Sequence, residues 1–141
     1  MKLKVLAVDP GEKRIGLAIS DDLGVIANPL VVLHHVSREK DAQGIMKIAR
    51  EKKAEKIIIG SSYNEVNLLT PEGRKAEKLA DAICNMGFTD VELWDEFEST
   101  KTAQKTRREM GVKRSKRKGH LDELAATIIL QSYLDEHKEM D

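Results

Sequence analysis

The feature that most constrains the fold is an apolar strand that runs into an acidic turn. Residues 3–8 are apolar except for Lys4, and Asp9, Pro10 and Gly11 follow directly. A nearly continuous apolar run predicts a strand that is covered on both faces. Proline cannot donate a ladder hydrogen bond and glycine frees the backbone, so we expect the strand to end there with Asp9 at the sheet edge. Open α/β sheets bind ligands beyond the carboxyl ends of their strands, which makes Asp9 the first candidate functional residue.

The order of the remaining elements predicts an α/β fold. Residues 13–20 and 25–33 have the pattern of two further strands in an antiparallel meander, and Pro29 indicates an edge strand or a bulge. After the meander we expect a helix with Ser37 as its N-cap that extends to about Lys53, a strand at 56–60, and a helix that begins at Pro71 after the N-cap Thr70 and is closed by Gly87. A strand at 91–95, a helix from Ser99 or Thr100 to about Met110, and a helix at 121–133 complete the chain. A meander followed by crossover units predicts a mixed five-stranded sheet flanked by helices on both faces.

Composition sets the broad class. We expect residues 1–141 to form a single domain, because this length is typical of one. No apolar run reaches the length of a membrane span and no signal-like segment opens the chain, so we expect a cytoplasmic protein without a membrane partner. The one cysteine, Cys84, excludes an internal disulfide and fits a reducing compartment. The 24 basic and 24 acidic residues balance, so only their distribution carries information about partners.

Three separated acidic positions predict a metal site. Asp9 ends the first strand, Asp95 and Glu96 end the last, and Asp122 lies in the first turn of the last predicted helix. If the first and fourth strands are neighbours, these acids can meet, and carboxylates brought together require a divalent cation such as Mg²⁺ or Mn²⁺. Two such ions roughly 4 Å apart can hold the attacking water and the leaving oxygen of a phosphodiester displacement. Taken singly, each acid has a plainer explanation, an Asx turn for Asp9 and a favourable helix dipole for the others.

Basic residues crowd together between 101 and 118. The candidate nucleic-acid contacts in this segment are Arg107, Arg108, Lys113, Arg114, Lys116, Arg117 and Lys118. Charge runs are often only solvated loops, but this one directly precedes the helix that carries Asp122, which favours a clamp on the phosphate backbone. Lys13 and Arg14, beside Asp9, are further candidates, with an ordinary surface pair as the alternative. A clamp of this kind reads phosphate, so it does not distinguish structured RNA from branched DNA.

At this point the sequence resembles a known family. Residues 9–21 (DPGEKRIGLAISD) resemble the opening motif of the YqgF/RuvX family, residues 121–134 resemble its closing helix, and Asp95-Glu96 with the hydroxyls that follow resembles its acid-plus-hydroxyl motif. The resemblance implies an RNase H-like fold and a nuclease that acts on Holliday junctions or trims the precursor of small-subunit ribosomal RNA. It also implies that Asp9, Glu96 and Asp122 are the metal-binding catalytic acids.

Two departures from the family pattern keep other interpretations open. Phe97-Glu98 replaces the usual Arg-Leu after the acid pair, and Ser61-Ser62 replaces Leu-Pro after Gly60. Asp95 and Glu65 are candidate additional acids at the same sheet edge. A non-catalytic module that binds the ribosome or DNA is the first alternative, and a relative of the actin-like ATPases, which generally need two domains, is the second. A junction resolvase is expected to form a homodimer, whereas an RNA-trimming enzyme can act as a monomer.

Overall fold

The structure is a computed structural model that describes residues 3–95 and 118–137, with the side chains of the last helix from residue 124 onward. Its elements in chain order are β1 (Val5–Pro10), β2 (Arg14–Ser20), β3 (Ala27–His34), α1 (Arg38–Glu51), β4 (Lys56–Ser61), α2 (Pro71–Asn85), β5 (Val91–Asp95) and α3 (Lys118–His137). The five predicted strands are all present. The helix predicted at about 99–110 and the basic loop after it lie outside the described residues.

The five strands form one mixed sheet in the order β3-β2-β1-β4-β5. β2 pairs antiparallel with both β1 and β3, whereas β4 pairs parallel with both β1 and β5. The strands β1, β4 and β5 therefore end at the same edge of the sheet, which we call the carboxyl edge. The predicted mixed sheet is confirmed. The first and fourth strands are neighbours, as the predicted convergence of the acids requires.

Strand β1 extends two residues further than predicted. Asp9 pairs with Gly16 and Pro10 pairs with Ile15, so both belong to the strand. Proline is tolerated there because Pro10 lies beyond the last β1–β4 pair, and its missing N–H interrupts no part of that ladder.

Pro29 marks both an edge strand and a bulge. Strand β3 is one of the two edge strands of the sheet. Its register with β2 shifts between the Leu17–Val31 and Ala18–Pro29 pairs, which leaves Leu30 as an extra residue in β3. The prediction from Pro29 is confirmed.

The core has two layers, one on each face of the sheet. Helices α1 and α2 cover the face that includes Leu6, Val8, Ile57 and Ile59. Helix α3 covers the other face, where the buried residues are Val5, Ala7, Ala18, Ile58, Ala126, Ile129, Leu130, Tyr133 and Leu134. The alternation along β1 thus sends odd-numbered residues toward α3 and even-numbered residues toward α1 and α2.

Helix α3 differs from its prediction in both start and orientation. It begins at Lys118, three residues before the predicted start, so Asp122 is the fifth residue of the helix and lies beyond the first turn. From the sequence we expect a core stripe through Leu121, Leu124, Ala125 and Ile128. Ile128 is buried as expected, but Leu124 and Ala125 are only half-buried, and the cluster against the sheet follows Ala126, Ile129 and Tyr133. The reason is steric: Ala126 packs against Ala7 and Ala18, and these small residues let the helix approach the sheet closely. The stripe is therefore centred on the line that passes through position 122, one turn before Ala126.

The predicted helix caps are confirmed. Ser37 Oγ accepts a hydrogen bond from the Lys40 backbone N–H at 3.2 Å, and Thr70 Oγ1 accepts one from Gly73 at 3.1 Å. Gly87, with φ +108°, follows the end of α2. Within the described ranges, no helix is long and apolar enough to cross a membrane.

The β2–β3 turn provides a test by pH. The Asp21 carboxylate accepts hydrogen bonds from the backbone N–H groups of Val25 (2.8 Å) and Ile26 (3.2 Å). The bond from Val25 is the main cause that lowers the pKa of Asp21 below its ordinary value of 3.8. Because the folded-state pKa lies below the unfolded one, this stabilisation is present above about pH 3.8 and is lost as the pH falls below it.

We therefore expect Asp21→Asn to flatten the acid side of the stability curve. Between pH 6 and pH 3 the Tm of the unaltered protein should fall more than that of the variant, as measured by circular dichroism. Asp22→Asn is the control, because the Asp22 side chain is 89% exposed, and it should follow the unaltered protein. An equally steep fall in Asp21→Asn would contradict the role given to this carboxylate.

Candidate active site

Asp9 lies at the carboxyl edge in the middle of the sheet. It is half-buried, and it shares its face of β1 with Val5 and Ala7, the face that α3 covers. The turn after it is closed by a 2.9 Å hydrogen bond from Gly11 N–H to the Arg14 carbonyl. A Cβ at Gly11 would lie 2.5 Å from that carbonyl oxygen, so only glycine fits. The pairing with β2, the β1–β4 ladder that ends at Val8 and a tight turn therefore fix the backbone that carries Asp9.

Asp95 reaches the same edge but on the other face. It is the last residue of β5 and pairs with Ser61 of β4. Because it lies two residues after Leu93, it is on the same face of the sheet as Leu93, the face that α1 and α2 cover. Trp94 packs on the α3 side instead. Asp95 and Asp9 therefore lie on opposite faces of the sheet. Glu96, which the resemblance assigns as a ligand, lies outside the described residues.

Helix α3 runs toward the carboxyl edge. The Gln131 side-chain oxygen accepts a 2.9 Å hydrogen bond from the backbone of Ala27, the first residue of β3. The Tyr133 ring lies 5.7 Å from Lys56 Nζ, at the start of β4. The C-terminal half of α3 thus covers the edge of the sheet where β3 and β4 begin. The helix crosses the sheet from there, so the residues that precede Ala126 lie toward the carboxyl edge, where β1 ends. Position 122 lies on this face of the helix, and its side chain is outside the described part.

The predicted basic contacts divide into two groups. Lys13 is exposed in the β1–β2 turn. Arg14 is half-buried, and because Ile15 packs on the side of α1 and α2, Arg14 lies on the other face of the sheet, together with Asp9. Lys118 begins α3. The basic residues that lie outside the described ranges are Arg107, Arg108, Lys113, Arg114, Lys116 and Arg117. The structure therefore places two predicted cations beside Asp9.

The donor chemistry at Asp9 fits a hard divalent cation. A half-exposed carboxylate on a rigid strand end offers the oxygen ligand that Mg²⁺ or Mn²⁺ prefers. Among the described residues no group of three His, Cys, Asp or Glu side chains could hold a metal ion. The other two predicted ligands, Glu96 and the Asp122 side chain, belong to the part that is not described.

Ser62, part of the departure from the family pattern, has a structural role. Its hydroxyl bonds to the hydroxyl of Thr70, the N-cap of α2, and its carbonyl accepts from Thr70 N–H at 3.1 Å. Ser62 therefore anchors the β4–α2 loop to its helix. Ser61 Oγ is buried and finds no hydrogen-bond partner among the described residues. Glu65, the additional acid predicted here, is exposed in the loop that follows.

A cavity of about 610 Å³ lies on the other face of the same edge, and no sequence motif predicts it. Its lining includes Pro10, Gly11, His35 and Asp41. The His35 ring bonds to the Asp41 carboxylate, which is 6% exposed and also accepts from Val36 N–H at 3.0 Å. From the sequence, His35 reads as an exposed turn residue. The sequence signal for this pair is Asp41. It lies near the start of α1 beside apolar residues with the spacing of a buried helix face, which indicates that this carboxylate is itself buried.

Comparison with known proteins identifies the family. The model of the RuvX family, described as Holliday junction resolvase, matches residues 3–136. A protein of Clostridioides difficile (strain 630), named "Putative pre-16S rRNA nuclease", is 39% identical over 132 residues, 94% of each chain. A protein of the same name from Thermoanaerobacter pseudethanolicus is 36% identical over 137 residues, covering 96% of this chain and 99% of its own.

A solved structure shows the same fold. RuvC of Thermus thermophilus, in complex with a Holliday junction substrate, superposes with a TM-score of 0.59 and covers 98% of this chain and 96% of its own. At 14% identity this likeness shows the RNase H-like fold alone. The family model and the relatives, which match over nearly the whole sequence, establish that this chain belongs to the RuvX family.

Proposed function

We propose that this protein is a divalent-metal-dependent endonuclease that cuts structured nucleic acid. The observation that carries the proposal is the position of Asp9, at the end of a central strand on the face toward which α3 leads position 122. Asp9 pairs with Gly16 of β2 and directly follows Val8, the last residue paired with β4, so it is held in the rigid manner that a catalytic site needs. The family description and the names of the relatives support the same reaction class.

Glu96 is proposed as the third ligand in preference to Asp95. The support is the alternation of β5, because Asp95 has the parity of Leu93 and lies on the face away from Asp9. Asp9, Glu96 and Asp122 would hold Mg²⁺ or Mn²⁺. Such ions, when bound, neutralise charge on the phosphate and lower the pKa of a bound water.

The proposed substrate contacts are basic residues. Lys13, Arg14 and the basic segment from Arg107 to Lys118 would neutralise phosphates on either side of the acids. The names of the two relatives make precursor small-subunit ribosomal RNA the first substrate to test, and the family description makes a four-way DNA junction the second. We propose a single domain that acts in the cytoplasm on ribosome precursors, as a monomer on RNA or as a homodimer on a junction.

Replacement of Asp9 tests the catalytic claim. We expect Asp9→Asn to lower the cleavage rate with Mn²⁺ or Mg²⁺ at least about a hundredfold while binding persists, because even supporting residues of metal sites cost that much. The measurement is a gel assay of precursor RNA and of a four-way junction in parallel, with chelator as a second control. Asp95→Asn is the matched variant, and it should retain cleavage.

Two results would contradict this proposal. Cleavage that survives both chelator and Asp9→Asn would point to a contaminant or to another site. Binding without cutting, unchanged in Asp9→Asn and independent of metal, would leave a non-catalytic binding module on this fold.

The basic segment is tested by salt dependence. We expect the double substitution of Arg107 and Arg108 by Gln to weaken binding, and to reduce the slope of log K against log salt by about 1.8 on duplex DNA, since each phosphate contact contributes about 0.9. Substitution of Lys47 and Lys52 by Gln is the control for net charge, because both are exposed residues of the α1 segment and its C-cap, on the opposite side of the sheet from α3. Equal effects of the two double variants would show that overall charge, not a local clamp, governs binding.

A further inference from the structure

The cavity of about 610 Å³ on the face of α1 and α2 is large enough for a small molecule, since pockets of roughly 300–1,000 Å³ enclose drug-sized ligands. Its floor is apolar, because Ile15 and Leu79, both buried in the core, line it together with Pro10. Pro10 directly follows Asp9, but Asp9 lies on the opposite face of the sheet. The cavity is therefore separate from the proposed catalytic acids.

Two helices begin at this cavity. Ser37, the N-cap of α1, lines it, and so does Glu72, the second residue of α2. The amino-terminal end of a helix carries partial positive charge and free backbone N–H groups, which makes it a common site for phosphate. Two such ends at one cavity favour a ligand with an anionic group.

Basic side chains of both helices line the cavity as well. Arg38 is the first residue of α1, and Lys75 lies in the second turn of α2; both are exposed to solvent. A guanidinium and an ammonium group on two different helices can bond to the oxygens of one phosphate. The cavity thus combines charge suited to phosphate with an apolar floor suited to a flat ring.

A histidine held by a buried carboxylate forms part of the wall. His35 Nδ1 bonds to Asp41, whose carboxylate also accepts from Val36 N–H at 3.0 Å. The His35 side chain is 43% exposed, so the ring has a fixed orientation and stays accessible. Its other ring nitrogen, Nε2, can therefore meet a ligand as donor or acceptor at a fixed position.

A buried hydroxyl lies under the amino-terminal end of α2. Ser61 Oγ makes no hydrogen bond among the described residues, and a Cβ on Gly73, in the first turn of α2, would lie 3.2 Å from it. Because Ser61 follows Ile59 by two residues, it lies on the face of α1 and α2, as the cavity does. Native structures satisfy nearly all buried polar atoms, so this hydroxyl is a group that a bound ligand can satisfy.

The acidic residues of the lining indicate more than a bare phosphate. Glu12 and Glu72 line the cavity at exposed positions, on the β1–β2 turn and on α2. A phosphate ion gains nothing from carboxylates, whereas the hydroxyls of a ribose and the amino groups of a base donate hydrogen bonds to them. Together with the apolar floor, the lining matches a phosphate, a sugar and a base.

We propose that this cavity binds a nucleotide with a terminal phosphate, which would contact Arg38, Lys75 and the two helix ends while the base lies against the apolar floor. The ligand is a free mononucleotide or the 5′-terminal nucleotide of a strand, since both carry the same phosphate chemistry. The site goes beyond the proposed nuclease and does not depend on it, because Asp9 lies on the other face of the sheet.

Calorimetric titration of the whole protein in EDTA tests this site apart from the metal centre. We expect 5′-AMP or 5′-GMP to bind with a Kd below about 1 mM. Adenosine, which lacks the phosphate, and inorganic phosphate, which lacks the base, should each bind at least about tenfold more weakly. A 5′-phosphorylated trinucleotide distinguishes the two sources: equal or tighter binding assigns the site to strand ends, and weaker binding assigns it to free nucleotides.

Variants locate the binding. Arg38→Gln/Lys75→Gln should weaken nucleotide binding at least about tenfold, because it removes two charge-assisted contacts. Lys47→Gln/Lys52→Gln is the matched control, since it changes net charge equally in the later part of α1 and at its C-cap, and should leave binding unchanged. Circular dichroism checks that both variants fold.

Asp9→Asn separates this site from the catalytic acids and should bind the nucleotide as the unaltered protein does. In NMR titrations of isotope-labelled protein, we expect the amide signals of Gly11, Ser37, Arg38 and Lys75 to shift on addition of 5′-AMP.

Three results would overturn the inference. The first is no saturable binding of any of these nucleotides up to about 10 mM. The second is an equal loss of binding in the two double variants, which would indicate overall charge. The third is binding that appears only with Mg²⁺ and disappears in Asp9→Asn, which would place the nucleotide at the catalytic edge.

The inference and the proposed function fail separately. Nucleotide binding that depends on Arg38 and Lys75, in a protein that never cuts nucleic acid, would keep this site and overturn the nuclease. Metal-dependent cleavage in a protein that binds no nucleotide in EDTA would keep the nuclease and overturn this site.

Discussion

The parallel pairing of β1 with β4 is the interaction on which the rest of the structure depends. It joins the antiparallel meander to the crossover half of the chain and aligns the ends of three strands at one edge. Because both strands are buried on both faces, their register is fixed by apolar packing, with Val8 beside Ile59. Asp9 follows directly and inherits this fixed position. The proposed chemistry therefore depends on a core contact that is apolar except for Lys56, at the end of the ladder away from Asp9.

Much of this arrangement was predictable from local signals. The apolar run before Asp9, the Ser37 and Thr70 caps and the Pro29 edge signal each depend on a few adjacent residues, and each is found in the structure. Of the candidate site, the sequence predicted that Asp9 lies at a strand end beside Lys13 and Arg14. Local chemistry carries such features because caps, turns and buried strands are specified by their immediate neighbours.

What the sequence left undetermined depends on partners distant in the chain. The centre of the buried stripe of α3 was misplaced because Leu124 is more apolar than Ala126, yet close approach to Ala7 and Ala18 selects the smaller residue. The pairing of His35 with Asp41, six residues apart, is local in the chain, but it depends on how the turn between β3 and α1 folds. Polar residues in loops have many hydrogen-bonding options, and only the folded backbone selects among them.

The alternation at the end of β5 has a consequence for how the site tolerates change. Asp95 lies on the face away from Asp9, together with Leu93, whereas Trp94 packs on the face of Asp9. A slip of β5 by one residue against β4 would turn the Asp95 carboxylate to the face of Asp9, but it would also exchange Leu93 and Trp94 between the two halves of the core. The side of the sheet on which an acid lies is therefore specified by the apolar residues beside it, even at an edge strand.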